Sequence, residues 1–225
     1  LLFKDIEGVL RVSSLAGVTA SGVTAEFLGQ QAAVNIATRT ETEQEKSEGY
    51  RKNKMEGDVS VALSSETIIT VDSGIPVGSL LSYFEQKEIV GLSGVLNYHA
   101  ELNVPNQGEA SPKLTVTSDL KGVSYDCPAP FKKTSLEASD LALSLLIDPD
   151  QMNLNVSLKS EGSPVIKSEL LFIGSELTSG ELLIGEAVSK NMDAKGVNIV
   201  AKLESVELQP WVEFIQNNIA ELGPS

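Results

Sequence analysis

Cys127 and His99 are the only cysteine and the only histidine among 225 residues. A lone cysteine excludes an internal disulfide and a cysteine-built zinc site, and a lone histidine leaves a Ser/His triad or a histidine zinc site to be assembled around one solitary residue. Aromatics are scarce as well: one Trp, four Tyr and six Phe. A core must therefore be filled by Leu, Val, Ile and Ala. Basic residues are outnumbered, 17 Lys and Arg against 31 Asp and Glu, for a formal net charge of -14. That is the wrong sign for a phosphate backbone or an anionic bilayer surface, so nucleic acid is excluded as a partner. Long apolar runs are missing: Leu170-Leu171-Phe172-Ile173 falls far short of the roughly 20 residues of a membrane span. The HExxH, CxxC, GxSxG, phosphate-loop and dinucleotide glycine motifs do not occur. The chain opens at Leu1 with neither an initiating Met nor a signal-peptide pattern, and reads as an internal piece of a longer protein that does not itself carry targeting signals.

What the chain has in quantity is two-residue alternation. In Tyr98-His99-Ala100-Glu101-Leu102-Asn103-Val104 and in Leu141-Ala142-Leu143-Ser144-Leu145-Leu146-Ile147 the larger apolar side chains fall mostly on every second residue, which in an extended strand puts them on one face. Gly8 to Val12, Gly22 to Gly29 and Ala32 to Ala37 read as three short strands separated by glycine-bearing turns. Further strands are expected at 58–63, 67–71, 94–104, 114–118, 154–158, 170–173, 182–185 and 196–203, with Asp148-Pro149-Asp150 as a hairpin turn. Residues 39–57 are abruptly polar and read as an exposed loop. Two segments change period. Val77, Leu80, Leu81 and Phe84 are spaced for a short helix over 76–86, and Trp211, Val212, Phe214, Ile215 and Ile219 for one over 208–222, each with a proline (Pro76, Pro210) in its first turn.

No constellation carries a reaction, so no catalytic residue, metal site or cofactor is assigned and the chain is not read as an enzyme. Glu43 with Glu45 and Asp148 with Asp150 lie in expected turns and read as solvated charge. His99 falls on the polar phase of its strand. Cys127 is followed by Pro128 and has no neighbouring base, so it reads as an inert, partly buried thiol. The apolar face remains. With only two amphipathic helices for many strands, either two sheets close on one another or one curved sheet leaves a long trough. Alternation alone is the same in both cases.

Several segments resemble one family. Ile6-Glu7-Gly8-Val9-Leu10, Gly17-Val18-Thr19-Ala20 and Val23 to Gly29 resemble the repeat opening of the AsmA-like envelope proteins. Ser118-Asp119-Leu120-Lys121-Gly122-Val123 leading into Pro128-Ala129-Pro130-Phe131-Lys132-Lys133 resembles a signature stretch of the very large members, and Leu208-Gln209-Pro210-Trp211 before a helix is similar to their "Trp, helix" element. Cys127 stands where an aliphatic residue is expected, and 39–57 is an unusually polar insertion. The resemblance spans essentially the whole chain. It implies a mainly β fold: a long, curved antiparallel sheet forming an open groove or partly closed sandwich, with residues 1–225 as one β-groove segment.

The implied function is that of a bridge-like lipid transport protein. Such a protein is anchored in the inner membrane of a Gram-negative bacterium, extends through the periplasm, and conducts phospholipids between inner and outer membranes without catalysis. Its partners would be phospholipid acyl chains, neighbouring repeats of the parent protein and other envelope proteins. The candidate groove wall is Leu96, Tyr98, Ala100, Leu102 and Val104, with Leu141, Leu143, Leu145, Leu154, Val156 and Leu158. Leu80, Leu81 and Phe84, or Trp211 and Phe214, are candidates for a plug or end-cap. The alternative is a structural or partner-binding β-rich scaffold module.

Overall fold

The computed structural model describes residues 3–13, 17–41, 64–86, 89, 91–106, 110–189 and 195–219. Its strands are β1 (Lys4–Ser13), β2 (Gly17–Phe27), β3 (Gln30–Glu41), β4 (Ser64–Pro76), β5 (Leu92–Pro105), β6 (Lys113–Ser118), β7 (Val123–Tyr125), β8 (Ser139–Ile147), β9 (Gln151–Ser160), β10 (Ile166–Ile173), β11 (Glu176–Gly185) and β12 (Gly196–Lys202). Two helices, α1 (Val77–Tyr83) and α2 (Leu208–Ile219), match the two changes of period. Pro76 closes β4 immediately before α1, while Pro210 sits inside the first turn of α2. Residues 39–41, expected in the polar loop, instead extend β3 and pair with 64–66. The rest of that loop, the Glu43/Glu45 pair and the strand expected at 58–63 lie outside the described residues.

The strands form one sheet in nearly sequential order, β1 to β6 and then β8 to β12, with β7 set aside to pair with the start of β5. It is an open curved sheet, with β1 and β12 as its two edges. Every neighbouring pair is antiparallel except β11 and β12. A parallel neighbour requires the chain to cross back over a face of the sheet. Ser189, at the described start of that connection, lines the same cavity as Lys167, Glu169 and Glu181, on the face that carries charge.

Residues 119–139 fold back over the sheet as a cap. Val77 of α1, Leu120 and Val123 are buried together, and Leu81, Leu92, Leu96, Tyr125, Leu141 and Leu158 pack against them. The fold-back needs glycine twice. Gly94 and Gly122 both have positive φ (112° and 92°), and a Cβ on Gly94 would stand 1.9 Å from the Gly122 carbonyl oxygen. That oxygen accepts from the Val95 N–H at 3.2 Å, which seats the turn on β5.

Lys133 pins the cap from inside. It is 5 % exposed, its ammonium donates to the carbonyls of Leu120, Val123 and Thr134 at 2.8, 2.7 and 3.1 Å, and it lies 5.8 Å from the centre of the Tyr125 ring. All three N–H donors are used, which is how a buried ammonium avoids a large desolvation penalty. Its own backbone exchanges hydrogen bonds with Tyr125 at 2.9 and 3.0 Å. Lys133→Met keeps the stem and removes the donors; it should lower stability by about 3 kcal/mol, since each buried acceptor left unpaired costs about 1–3 kcal/mol. Urea denaturation checks this, and a loss below about 0.5 kcal/mol would mean that water replaces the ammonium.

Candidate lipid-facing floor

In an antiparallel ladder, directly opposed residues share a face, so the register alone assembles the floor. One row runs through Val34, Val71, Ala100, Val116, Leu143 and Val156. The next runs through Ile69, Leu102, Leu114, Leu145, Leu154 and Leu170. A third passes Tyr98, Ser118, Leu141, Leu158, Ile166 and Ile184. Each row continues into β12, where Ile199 and Val197 stand opposite Leu182 and Gly180. All eleven candidate wall residues therefore stand on one face, although they come from only β5, β8 and β9. The contributions of β3, β4, β6 and β10 to β12 carry the same alternation and could have been added on that signal.

From β2 to β12 every Asp, Glu, Lys, Arg and His of the paired strands stands on the other face. Asp72, His99, Glu101, Lys113, Asp140, Lys159, Lys167, Glu169 and Glu181 all alternate against the floor residues. There His99 Nδ1 lies 2.8 Å from Asp72 Oδ1, as its polar phase predicts. That outer face also holds a cavity of about 490 Å³ where Lys113, Lys167, Glu169 and Glu181 converge, charges of both signs.

The floor is not uniformly open. Leu96, Leu141 and Leu158 lie under the cap, whereas Ala100, Leu102, Val104, Leu143, Leu145, Leu154 and Val156 are half-buried and are not among the residues packed against its cluster. Of the end-cap candidates, Leu81 packs into the cap cluster and Leu80 is half-buried. Phe84 is exposed and touches Tyr83 edge-on at 5.2 Å, in a chain of ring contacts that runs through Phe27 to Phe3. Trp211 reaches the cap at Ala129 and Phe131, and Phe214 packs edge-on against Trp211. These elements meet the sheet at one end of its strands, so they flank the rows along one side rather than cutting across them.

Burial dominates the electrostatics around the cap. It pushes the Tyr98 phenol and the half-buried Cys127 thiol up, and holds the Lys133 ammonium below the usual lysine range. Asp148 accepts from the Ser111 hydroxyl, which fixes the start of the hairpin turn. Among the described residues no three His, Cys, Asp or Glu side chains gather as a metal would require, and no helix is long and apolar enough to cross a membrane.

Tyr125 is raised from 10.0 to about 12, chiefly by burial and next by the neighbouring Cys127. A phenol raised in the folded state adds stability that is fully present below its unfolded pKa and is lost as pH climbs through the folded one. Stability should fall between pH about 10 and about 12. Ultraviolet titration of the tyrosinates should show one phenol near pH 12 that disappears in Tyr125→Phe; a Tyr125 that ionises with the exposed tyrosines would mean the cap is open to water.

Compared with known protein families, residues 1–224 match the model described as YhdP protein. No curated protein and no solved structure matches the chain.

Proposed function

The chain belongs to the YhdP protein family, and on that premise we propose that it is a non-enzymatic segment of a bridge-like envelope protein that conducts phospholipids along its apolar floor. In this reading the parent is anchored in the inner membrane, this segment stands in the periplasm, and neighbouring repeats continue the path towards the outer membrane. The observation that carries it is a floor free of charge from β2 to β12 with, among the described residues, no second sheet laid over it.

Two sixteen-carbon acyl chains drawn through water expose about thirty CH2 groups at roughly 0.8 kcal/mol each, on the order of 20 kcal/mol. A continuous apolar surface removes most of that cost without a reaction. From β2 to β12 ten strands lie side by side; at about 4.8 Å per strand the floor runs for about 43 Å. Leu, Val, Ile and Ala repeated along them present nearly the same contact at every step, which favours sliding over tight binding at one place. The headgroup stays at the rim, in water, and needs no cationic pocket.

Leu143 and Ala142 are adjacent residues on opposite faces, which makes a matched test. In the full-length parent, Leu143→Asp should abolish phospholipid delivery to the outer membrane, because a carboxylate in an apolar path costs several kcal/mol, while Ala142→Asp should leave it intact. A photo-cross-linking residue at Leu102 or Leu143 should capture phospholipid, identified by mass spectrometry. Efficient activation that gives only protein adducts at both positions would instead favour a closed scaffold module.

A further inference from the structure

One glycine of the floor has no backbone reason to be glycine. Gly180 lies inside β11, outside the left-handed region, and it is regularly paired, with Leu170 opposite it on β10 and Val197 on β12. The register shift between β10 and β11 falls further along, between Leu171 and Phe172. Glycine weakens the interior of a strand, and away from a bulge it marks a place where another group comes close to the backbone. Here that group is Leu170. A Cβ on Gly180 would stand 2.5 Å from the Leu170 Cδ2 methyl and 2.9 Å from the Glu169 carbonyl oxygen, whereas apolar carbons rest at about 3.5–4.0 Å. The leucine thus lies across the neighbouring strand, in the space where a side chain of β11 would begin.

The position matters because of the row it belongs to. Ile69, Leu102, Leu114, Leu145, Leu154 and Leu170 carry that row from β4 to β10, and Gly180 and Val197 carry it on to β12. A side chain at Gly180 would displace the Leu170 methyl by at least about 1 Å. The Glu169 oxygen belongs to the backbone and cannot yield, and Leu154 stands opposite Leu170 on β9. With the sheet beneath, the methyl can move only upward, into the space above the floor. The residues on either side of Gly180, Ser179 and Glu181, stand on the other face and both carry side chains.

We infer that Gly180 is a clearance position of the lipid path. Because it carries no side chain, Leu170 lies flat across β11, and the row stays level where a sliding acyl chain passes from β10 to β12. A step of about 0.5–1 Å in an apolar surface forfeits about a quarter to a half of each contact beside it, so a raised Leu170 interrupts the even contact on which sliding depends. The inference rests on the conduit reading and assigns to it a residue that acts through Leu170, by the space it leaves.

The test places a photo-cross-linking residue singly at Leu102 or Val197, two positions of this row on either side of Leu170, in the full-length parent protein. Phospholipid adducts are quantified by mass spectrometry in the unchanged protein, in Gly180→Ala, in Gly180→Ala combined with Leu170→Ala, and in Ser179→Leu, which adds bulk to the same strand on the other face. Gly180→Ala should change the ratio of Leu102 to Val197 labelling at least threefold, because lipid is held back on one side of the step. Removing the raised leucine in the double variant should return the ratio to within twofold of the unchanged protein, and Ser179→Leu should leave it there. An unchanged ratio in Gly180→Ala, an equal fall at both positions, or a shift that Leu170→Ala does not reverse overturns the clearance position and leaves the conduit standing. Absence of phospholipid at both positions in the unchanged protein removes the conduit, and the clearance position with it.

Discussion

A β-ladder whose register slips by one residue turns each side chain to the opposite face. In this sheet such a slip would carry Asp72, Glu101, Lys113 and Glu169 to the side now occupied by Val71, Leu102, Leu114 and Leu170. The apolar floor therefore depends on continuous register across strands that come from distant parts of the chain. Charge enforces that register: a slipped strand would put a charged group among apolar neighbours, while the correct strand keeps Asp72, Lys113 and Glu169 exposed to water. The same constraint explains where the parallel strand β12 can be accommodated. The described start of its crossover, Ser189, lies with Lys167, Glu169 and Glu181, on the side away from the floor.

The cap solves a different problem. A loop folded onto an apolar surface brings backbone carbonyls away from water, and each needs a donor. Lys133 supplies donors to three of them from one side chain, while Gly94 and Gly122 let the two backbones approach more closely than any side chain would permit. Together these residues fix Leu120 and Val123 over Leu141 and Leu158. The cap thus narrows the floor along one side, and α2 extends that border through Trp211.

Much of this was legible beforehand where the signal is local. The strands at 94–104, 141–147 and 154–158, the two changes to helical period and the polar phase of His99 all follow from side-chain spacing within a few residues. The Ser118 to Val123 and Pro128 to Lys133 stretches stood out by resemblance, yet nothing in their spacing said that Lys133 would be buried, because an ammonium is placed inside only by acceptors that folding brings to it. Leu96, Leu141 and Leu158 looked identical to Leu102, Leu143 and Val156 for the same reason: alternation assigns a face and says nothing about what lies over it. Arg39 to Glu41 were read as loop because their own composition is polar, and they became strand because Ser64 to Glu66 pair with them.

By itself the sequence determined that this protein is mostly β, that its strands have one apolar and one charged face, and that a single cysteine leaves no internal disulfide. Those properties depend on composition and on a two-residue period, both local. Only the tertiary structure decided that one sheet stays open, that β12 joins parallel, that the cap covers three of the eleven wall candidates, and that α2 is held by a hydrogen bond between residues 82 positions apart. Each depends on contacts between segments far apart in the chain, and no short-range pattern of side chains encodes which distant surface will meet which.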